Sequence, residues 1–240
     1  MADKKSALRI LAALQRSPVG TSAVLVGSSG LFGFETDVPA LTEDIDIAVP
    51  ESMVDRRGPE IVEALREQGF DNQPGTASFS DFEGVVFDLL GHGNPEQGDH
   101  IGGSDRLRVM VFEDLSRLLP LPQVTAELPA GGRALTPVGF VATKLLTERA
   151  HKGAKDKLQA LLVIAERLDD EVFQTELCSL LATVDPVRLH DVRAGAQHAL
   201  FALQKDPTFS DAGAEGYAPR KDQVEVGFDW LVPLLEKLRG

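Results

Sequence analysis

The opening segment of the chain has apolar residues at helical spacing. Ala7, Leu8, Leu11 and Leu14 recur at intervals of three and four residues within KKSALRILAALQ. Residues at this spacing fall on one face of an α-helix, where they can pack on a core. The pattern predicts a first amphipathic helix that ends before Ser17-Pro18.

Two short apolar segments downstream have the pattern of β-strands. Residues 23–26 lead directly into Gly27-Ser28-Ser29-Gly30, which predicts a strand, a glycine turn and then a helix. In this arrangement backbone amides can approach a phosphate. In DIDIAV, Asp44 and Asp46 alternate with two isoleucines, so a strand would send both carboxylates to one face.

A helix and two more strands are predicted after the paired acids. Pro59 is suited to the first position of a helix over PEIVEALREQ, and Gly69 is placed to end it. Residues 85–90 and 106–112 are rich in apolar side chains and have the length of buried strands. The first half of the chain therefore alternates strands with helices.

The pattern changes after Glu113. Prolines and glycines cluster there, which predicts an irregular or hairpin connection: Pro120, Pro122, Pro129 and Gly131-Gly132. Thr136-Pro137 and Asp185-Pro186 then each place an N-cap residue before a proline at the first helical position. We therefore predict an α/β (α+β) fold, with a small mixed-sheet domain over residues 1–125 and a helical domain over 126–240.

Three features divide the predicted helical domain. Gly153 predicts a break between PVGFVATKLLTERAH and KDKLQALLVIAERL, because glycine is a poor helix former. Residues 209–220 predict a surface loop, and Pro233 predicts a bend in the last helix.

Composition narrows the classes of function. Of the 240 residues 43% are hydrophobic, which is enough for a sizeable core. The apolar runs are too short for a membrane span and no secretion signal is complete, so we expect a cytoplasmic protein with no membrane partner. The net charge of −13 argues against broad non-specific binding to nucleic acid, but leaves open a nucleotide carried with Mg2+, or RNA on a local basic patch.

Asp44, Asp46 and Asp88 are the candidate metal ligands. Asp88 interrupts the apolar segment VVFDLLG, and a charge in such a strand requires a partner or a metal. Nucleotide transfer needs carboxylates to hold one or two divalent ions. The alternative for the Asp44 and Asp46 pair is an exposed strand face or a turn without any ligand.

These residues, taken in order, resemble the signature of the nucleotidyltransferase superfamily that shares the fold of DNA polymerase beta. That signature is a Gly-Ser or Gly-Gly turn, a spaced DxD or DxE pair and a third acid on a later strand. The resemblance covers roughly residues 20–165. It implies that Asp44, Asp46 and Asp88 are catalytic and bind Mg2+ (or Mn2+), and that Gly27 and Ser28 hold the terminal phosphates.

Within that superfamily, TEDIDIAV and TPVGFVATKLLTERAHKGAKD are similar to abortive-infection toxin nucleotidyltransferases and related uncharacterised bacterial proteins. The similarity implies that Lys144 and the Lys155-Asp156 pair flank the nucleotide site, with both lysines binding nucleotide. Two features depart from the family. The stretch between the Gly-Ser turn and the DxD pair is longer, and Gln159 stands where a further Asp often follows.

Basic residues in this segment have two interpretations. Four polar residues would form one stripe on a continuous helix, either contacting phosphate or facing solvent: Lys144, Glu148, His151 and Lys155. The densest basic cluster overlaps them and is either a landing place for substrate phosphates or an exposed surface: Arg149, Lys152, Lys155 and Lys157.

The reaction expected from the resemblance is transfer of a nucleoside monophosphate from an NTP to an acceptor hydroxyl. The acceptor is open among tRNA, a protein and a small molecule. The first alternative is a catalytically inactive binding or regulatory module, such as a toxin-antitoxin component with an antitoxin-like protein partner. The second is a structural interaction protein whose aspartates are surface charge.

Overall fold

The structure is a computed structural model that describes residues 2–129, 131–147, 153–205 and 215–239. It has the predicted α/β fold, in which a mixed sheet with helices is followed by a mainly helical C-terminal part. None of the helices in these four ranges is long and apolar enough to cross a membrane.

The chain divides into two compact units. The first comprises Met1–Glu35 and Ala40–Gly139, and the second comprises Thr36–Pro39 and Phe140–Gly240. The division therefore falls after Gly139, whereas the sequence placed a boundary after residue 125. The reason is that a hairpin over residues 125–135 pairs with the sheet of the first unit.

Helix α1 (Lys4–Gln15) coincides with the predicted amphipathic helix. Asp3 caps it, because Asp3 Oδ1 accepts a hydrogen bond from the Ser6 amide at 2.7 Å. Its apolar face, including Ile10 and Leu14, is buried in the core of the first unit.

Nine strands of the described residues form one mixed sheet. They are β1 (Val24–Leu25), β2 (Asp44–Pro50), β3 (Asp71–Asn72), β4 (Ser78–Ser80), β5 (Val86–His92), β6 (His100–Gly103), β7 (Arg108–Val111), β8 (Thr125–Glu127) and β9 (Arg133–Leu135). The strand order is β3-β4-β5-β2-β1-β9-β8, with β7 also paired to β5 and β6 paired to β7. At its centre, β2 runs parallel to β5 and antiparallel to β1.

One face of this sheet supports the core of the first unit. Ile45 and Ile47 on β2 and Phe87 on β5 are fully buried on this face. The Phe79 ring on β4 stacks on the Phe87 ring, with centroids 5.1 Å apart. The alternation that buries these residues turns the intervening side chains of β2 and β5 to the opposite face.

Helix α2 (Glu51–Glu67) consists of two helical parts joined across a kink, and the second part begins after Arg57, close to the predicted start at Pro59. The helix is kinked at Arg57, whose φ of −134° and ψ of 20° are not helical. Proline has no backbone N–H to donate, and Pro59 therefore suits the first turn of the second helical part, where no such donor is needed. Gly69, with a φ of +84°, follows the helix end as predicted.

The connection after Glu113 holds both a predicted and an unpredicted element. The hairpin of β8 and β9 lies where the prolines and glycines indicated one. Helix α3 (Glu113–Leu118) was missed, because it is only six residues long. Its acidic first turn and its basic Arg117 in the last turn match the helix dipole.

The other α-helices of the described residues are α4 (Pro137–Leu146), α5 (Gly153–Glu166), α6 (Glu171–Leu181), α7 (Pro186–Lys205) and α8 (Lys221–Arg239), and a short 3-10 helix at Glu215–Arg220 precedes α8. Both predicted N-caps are present. Thr136 Oγ1 accepts from the Gly139 amide at 3.0 Å, and Asp185 Oδ1 accepts from the Val187 amide at 2.7 Å.

The helix bounds confirm the break predicted at Gly153, so the condition for a single polar stripe, one continuous helix, is not met. Lys144 lies on α4, which ends at Leu146, and Lys155 lies on α5, which begins at Gly153. The two lysines therefore do not share one helix face. Four residues of the predicted stripe and basic cluster lie outside the described residues: Glu148, Arg149, His151 and Lys152.

Candidate functional site

Strands β2 and β5 bring the three predicted aspartates together. Asp46 lies directly opposite Asp88 in the parallel pairing, and Asp44 lies two residues before Asp46 on the same face. One carboxylate oxygen from each residue lies within 4.8 Å of those of the other two. All three side chains are half-buried. The site is thus a compact cluster of acids on the face opposite the core.

The glycine turn contacts this cluster directly. Gly27 has a φ of +59°, a left-handed conformation that favours glycine. A Cβ atom added to Gly27 would lie 1.9 Å from Asp46 Oδ2 and 2.7 Å from Asp46 Cγ. The Asp46 carboxylate therefore occupies the space that any other side chain at position 27 would need.

Ser29 attaches the turn to β2. Its hydroxyl donates to the Val26 carbonyl at 2.7 Å and accepts from the Asp46 amide at 3.1 Å. The Val26 amide also donates to the Asp46 carbonyl at 3.0 Å. Ser29 is fully buried, whereas the sequence had singled out its neighbour Ser28. The sequence Gly-Ser-Ser-Gly contains both serines, and it does not indicate that Ser29 bonds to β2.

The turn continues as a 3-10 helix, Gly27–Gly33, and not as the regular α-helix that a phosphate-binding turn would favour. Part of its hydrogen-bonding capacity is used internally, since the Gly30 amide donates to the Val26 carbonyl at 2.9 Å. Ser28 is buried within this segment. Phosphate binding by Gly27 and Ser28 stays a prediction.

The surroundings of the other two aspartates differ. The Thr42 hydroxyl donates to Asp44 Oδ1 at 2.7 Å, which orients that carboxylate. Among the described residues, the carboxylate of Asp88 accepts no hydrogen bond and forms no ion pair. On β5 it lies between the fully buried Phe87 and Leu89. Its carboxylate is therefore held in place by the strand alone.

The donor set fits a hard divalent cation. An octahedral Mg2+ with ligands at about 2.1 Å separates neighbouring oxygens by about 3 Å and opposite oxygens by about 4.2 Å. The 4.8 Å limit for the three aspartates is close to that range, so small side-chain rotations would suffice. Carboxylates are also the ligands that Mg2+ and Mn2+ prefer.

In the second unit, Lys144 and Lys155 belong to a buried polar cluster. Lys144 Nζ donates to Asp156 Oδ1, and the two side chains are 6% and 4% exposed. Lys157 Nζ donates to the Leu145 carbonyl at 2.6 Å and so caps the end of α4. Lys155 is also buried and lies on α5, next to Asp156. Contact of Lys144 and Lys155 with a nucleotide stays a prediction.

Gln159, which stands in place of an acid in the family pattern, is fully buried in the second unit. Its side-chain amide donates to the Tyr217 hydroxyl at 2.7 Å. That hydroxyl donates in turn to the Pro39 carbonyl at 3.0 Å. Gln159 is therefore part of a structural hydrogen-bond chain.

The overall fold is similar to that of a solved bacterial protein. It matches the crystal structure of JHP933 from Helicobacter pylori with a TM-score of 0.50 and 15% sequence identity, over 98% of this chain and 94% of that chain. At this identity the likeness shows the fold alone. No protein-family profile matches the chain, and no curated protein matches it.

Proposed function

We propose that the protein is a Mg2+-dependent nucleotidyltransferase, which transfers a nucleoside monophosphate from an NTP to an acceptor hydroxyl. The observation that carries the proposal is the meeting of Asp44, Asp46 and Asp88 within 4.8 Å, with the Gly27 turn packed against Asp46. The resemblance of these residues to the nucleotidyltransferase signature supports it, because the same residues form one site in space.

In this proposal the three aspartates hold Mg2+ (or Mn2+). A bound divalent ion neutralises the triphosphate and lowers the pKa of the attacking hydroxyl. Asp88 accepts the proton of the acceptor hydroxyl, whose oxygen forms a bond to the α-phosphorus. The bond between the α-phosphorus and the bridging oxygen breaks, and pyrophosphate leaves.

The remaining predicted contacts belong to the same proposal. The backbone of Gly27 and the hydroxyl of Ser28 contact the terminal phosphates. The net charge of −13 disfavours a long nucleic acid as acceptor, while tRNA bound through a local patch, a protein and a small molecule all remain candidates.

The test is calorimetric binding of each of the four ribonucleoside triphosphates, with and without Mg2+. We expect saturable binding that requires the metal and is lost in Asp44→Asn/Asp46→Asn. The matched control is Asp105→Asn/Asp229→Asn, which removes the same charge from two exposed positions. Metal-dependent binding that survives in Asp44→Asn/Asp46→Asn, or no binding by the wild type, contradicts the proposal.

A second candidate is an inactive nucleotidyltransferase-fold module that binds a partner, such as the antitoxin-like protein of a toxin-antitoxin pair. The burial of Gln159 against Tyr217 favours it, because the family's acid is replaced by a residue with a structural role. This candidate predicts partner binding that is indifferent to Asp44→Asn/Asp46→Asn. The calorimetric test separates the two candidates, because only the enzyme requires NTP binding that depends on Mg2+ and on Asp44 and Asp46.

A further inference from the structure

A cavity lies on the same face of the sheet as the aspartate cluster, at the other end of β2 and β5. Pro50 and His92 continue the faces of Asp46 and Asp88 along β2 and β5, and both line this cavity. Its volume is about 690 Å³, within the range of small-molecule sites. The lining also includes the β8–β9 hairpin, so every contributing element belongs to the first unit.

The lining of the cavity is amphipathic. Val24, Leu119 and Leu128 supply apolar walls, while Thr125 and Arg133 supply polar groups. This combination is typical of sites that take an organic ligand, since a few polar groups orient it and the apolar surface binds its body. Apolar walls would not stabilise water in the cavity, whereas they can pack against the carbon skeleton of a ligand.

Arg133 gives the cavity its charge. It lies on β9 directly opposite Glu127 on β8. Over the described residues its guanidinium forms no ion pair and no hydrogen bond, although Glu127 also lines the cavity. A half-buried guanidinium beside apolar walls attracts an oxyanion, which it can bind through two parallel hydrogen bonds. The negative charge of the exposed Glu127 repels a second anionic group, so a ligand with one anionic group is favoured.

Two buried polar atoms beneath the cavity wall support this assignment. In the described part of the chain, His92 Nε2 and Thr125 Oγ1 have no hydrogen-bond partner. Burial and the nearby Arg133 lower the pKa of His92, so its ring is neutral and can donate through one nitrogen. Buried polar groups without partners are uncommon, and a polar ligand in the cavity that both residues line is one way to provide those partners.

We infer that this cavity binds a small organic oxyanion, a carboxylate or a phosphate monoester on an apolar body. Arg133 pairs with the oxyanion, Thr125 and His92 donate hydrogen bonds to it, and the apolar walls hold its carbon skeleton. The site is separate from the aspartate cluster, and its occupancy does not depend on the proposed transfer reaction.

The test uses benzoate and phenyl phosphate as probes, with benzyl alcohol and inorganic phosphate as counterparts that each lack one half of the chemistry. Binding is measured by calorimetry and by the NMR signals of the His92 ring in the full chain. We expect saturable one-to-one binding of at least one organic anion, shifted His92 signals, and a loss of at least about tenfold in affinity in Arg133→Gln.

Three variants complete the design. Thr125→Val removes the unpartnered hydroxyl with little change of volume and leaves Arg133 in place. We expect this variant to bind the organic anion more weakly than the wild type. Arg56→Gln, on the exposed side of α2, controls for loss of charge, and Asp44→Asn/Asp46→Asn should leave probe binding unchanged. Four results each overturn the inference: no saturable binding of either organic anion, equal affinity in Arg133→Gln, equal affinity for inorganic phosphate and phenyl phosphate, or loss of binding in Asp44→Asn/Asp46→Asn.

Discussion

The aspartate face of the first unit and the buried polar cluster of the second unit gather charge in opposite ways. On β2 and β5, Asp44, Asp46 and Asp88 bring three groups of like sign within 4.8 Å, each half-buried. In the second unit, Lys144 and Asp156 pair groups of opposite sign, and both are almost fully buried. The first arrangement gains from an added cation, while the second already contains its own.

This contrast gives a rule for interpreting charged residues in the chain. A buried pair of opposite charges is maintained by the fold, and removing one partner leaves the other uncompensated. A cluster of like charges lowers stability in the absence of a ligand, and such sites are where function is placed at the expense of stability. The two regions should therefore respond in opposite directions when one carboxylate is removed.

The largest effect is expected in the second unit. Asp156→Leu should lower the free energy of unfolding by about 3–5 kcal/mol, because Lys144 is left charged and buried without this partner. Urea unfolding monitored by circular dichroism measures the change. The double variant Lys144→Met/Asp156→Leu should recover much of the loss. A single variant as stable as the wild type would contradict the contrast.

An intermediate effect is expected at the glycine turn. Gly27→Ala should cost about 1–2 kcal/mol for its left-handed backbone and roughly 1–3 kcal/mol more for the overlap with Asp46. Gly20→Ala is the matched control, because Gly20 has a φ of +58° and open space around it. Thermal unfolding of both variants isolates the overlap. Equal losses would mean that Asp46 moves aside freely.

The smallest effect, with the opposite sign, is expected at Asp88. Without metal, Asp88→Asn should raise the free energy of unfolding by about 1 kcal/mol, because it removes one of three neighbouring like charges. Added Mg2+ should stabilise the wild type and leave this variant unchanged. Asp105→Asn provides the control at an exposed position. A destabilised Asp88→Asn would argue that the cluster is structural.

Much of the site could be predicted from sequence because it depends on local rules. Alternation in DIDIAV places Asp44 and Asp46 on one face, and a strand has no other way to arrange them. The caps at Thr136 and Asp185 likewise follow from short-range hydrogen bonding. Local rules alone do not place Asp88 beside Asp46. That position depends on the register between β2 and β5, which is set by burial of the isoleucines and Phe87.

The parts that were missed depend on contacts between distant residues. Ser29 joins the turn to β2 through the hydrogen bond that its hydroxyl accepts from the Asp46 amide, and the sequence did not single out this residue. The cavity beside His92 and Arg133 joins the end of one strand to a hairpin formed much later in the chain. No spacing within the sequence indicates either contact.

The segment Thr36–Pro39 has a consequence for how the protein is made. It is synthesised well before its partners, because Thr36 contacts Glu166 and Pro39 contacts Tyr217, which follow 130 and 178 residues later. The second unit therefore gains these contacts only after those later residues have been synthesised, and loops of this length close slowly. A gene fragment that starts at Phe140 encodes α5 to α8 but omits Thr36–Pro39, the segment whose Pro39 carbonyl accepts the hydrogen bond from Tyr217.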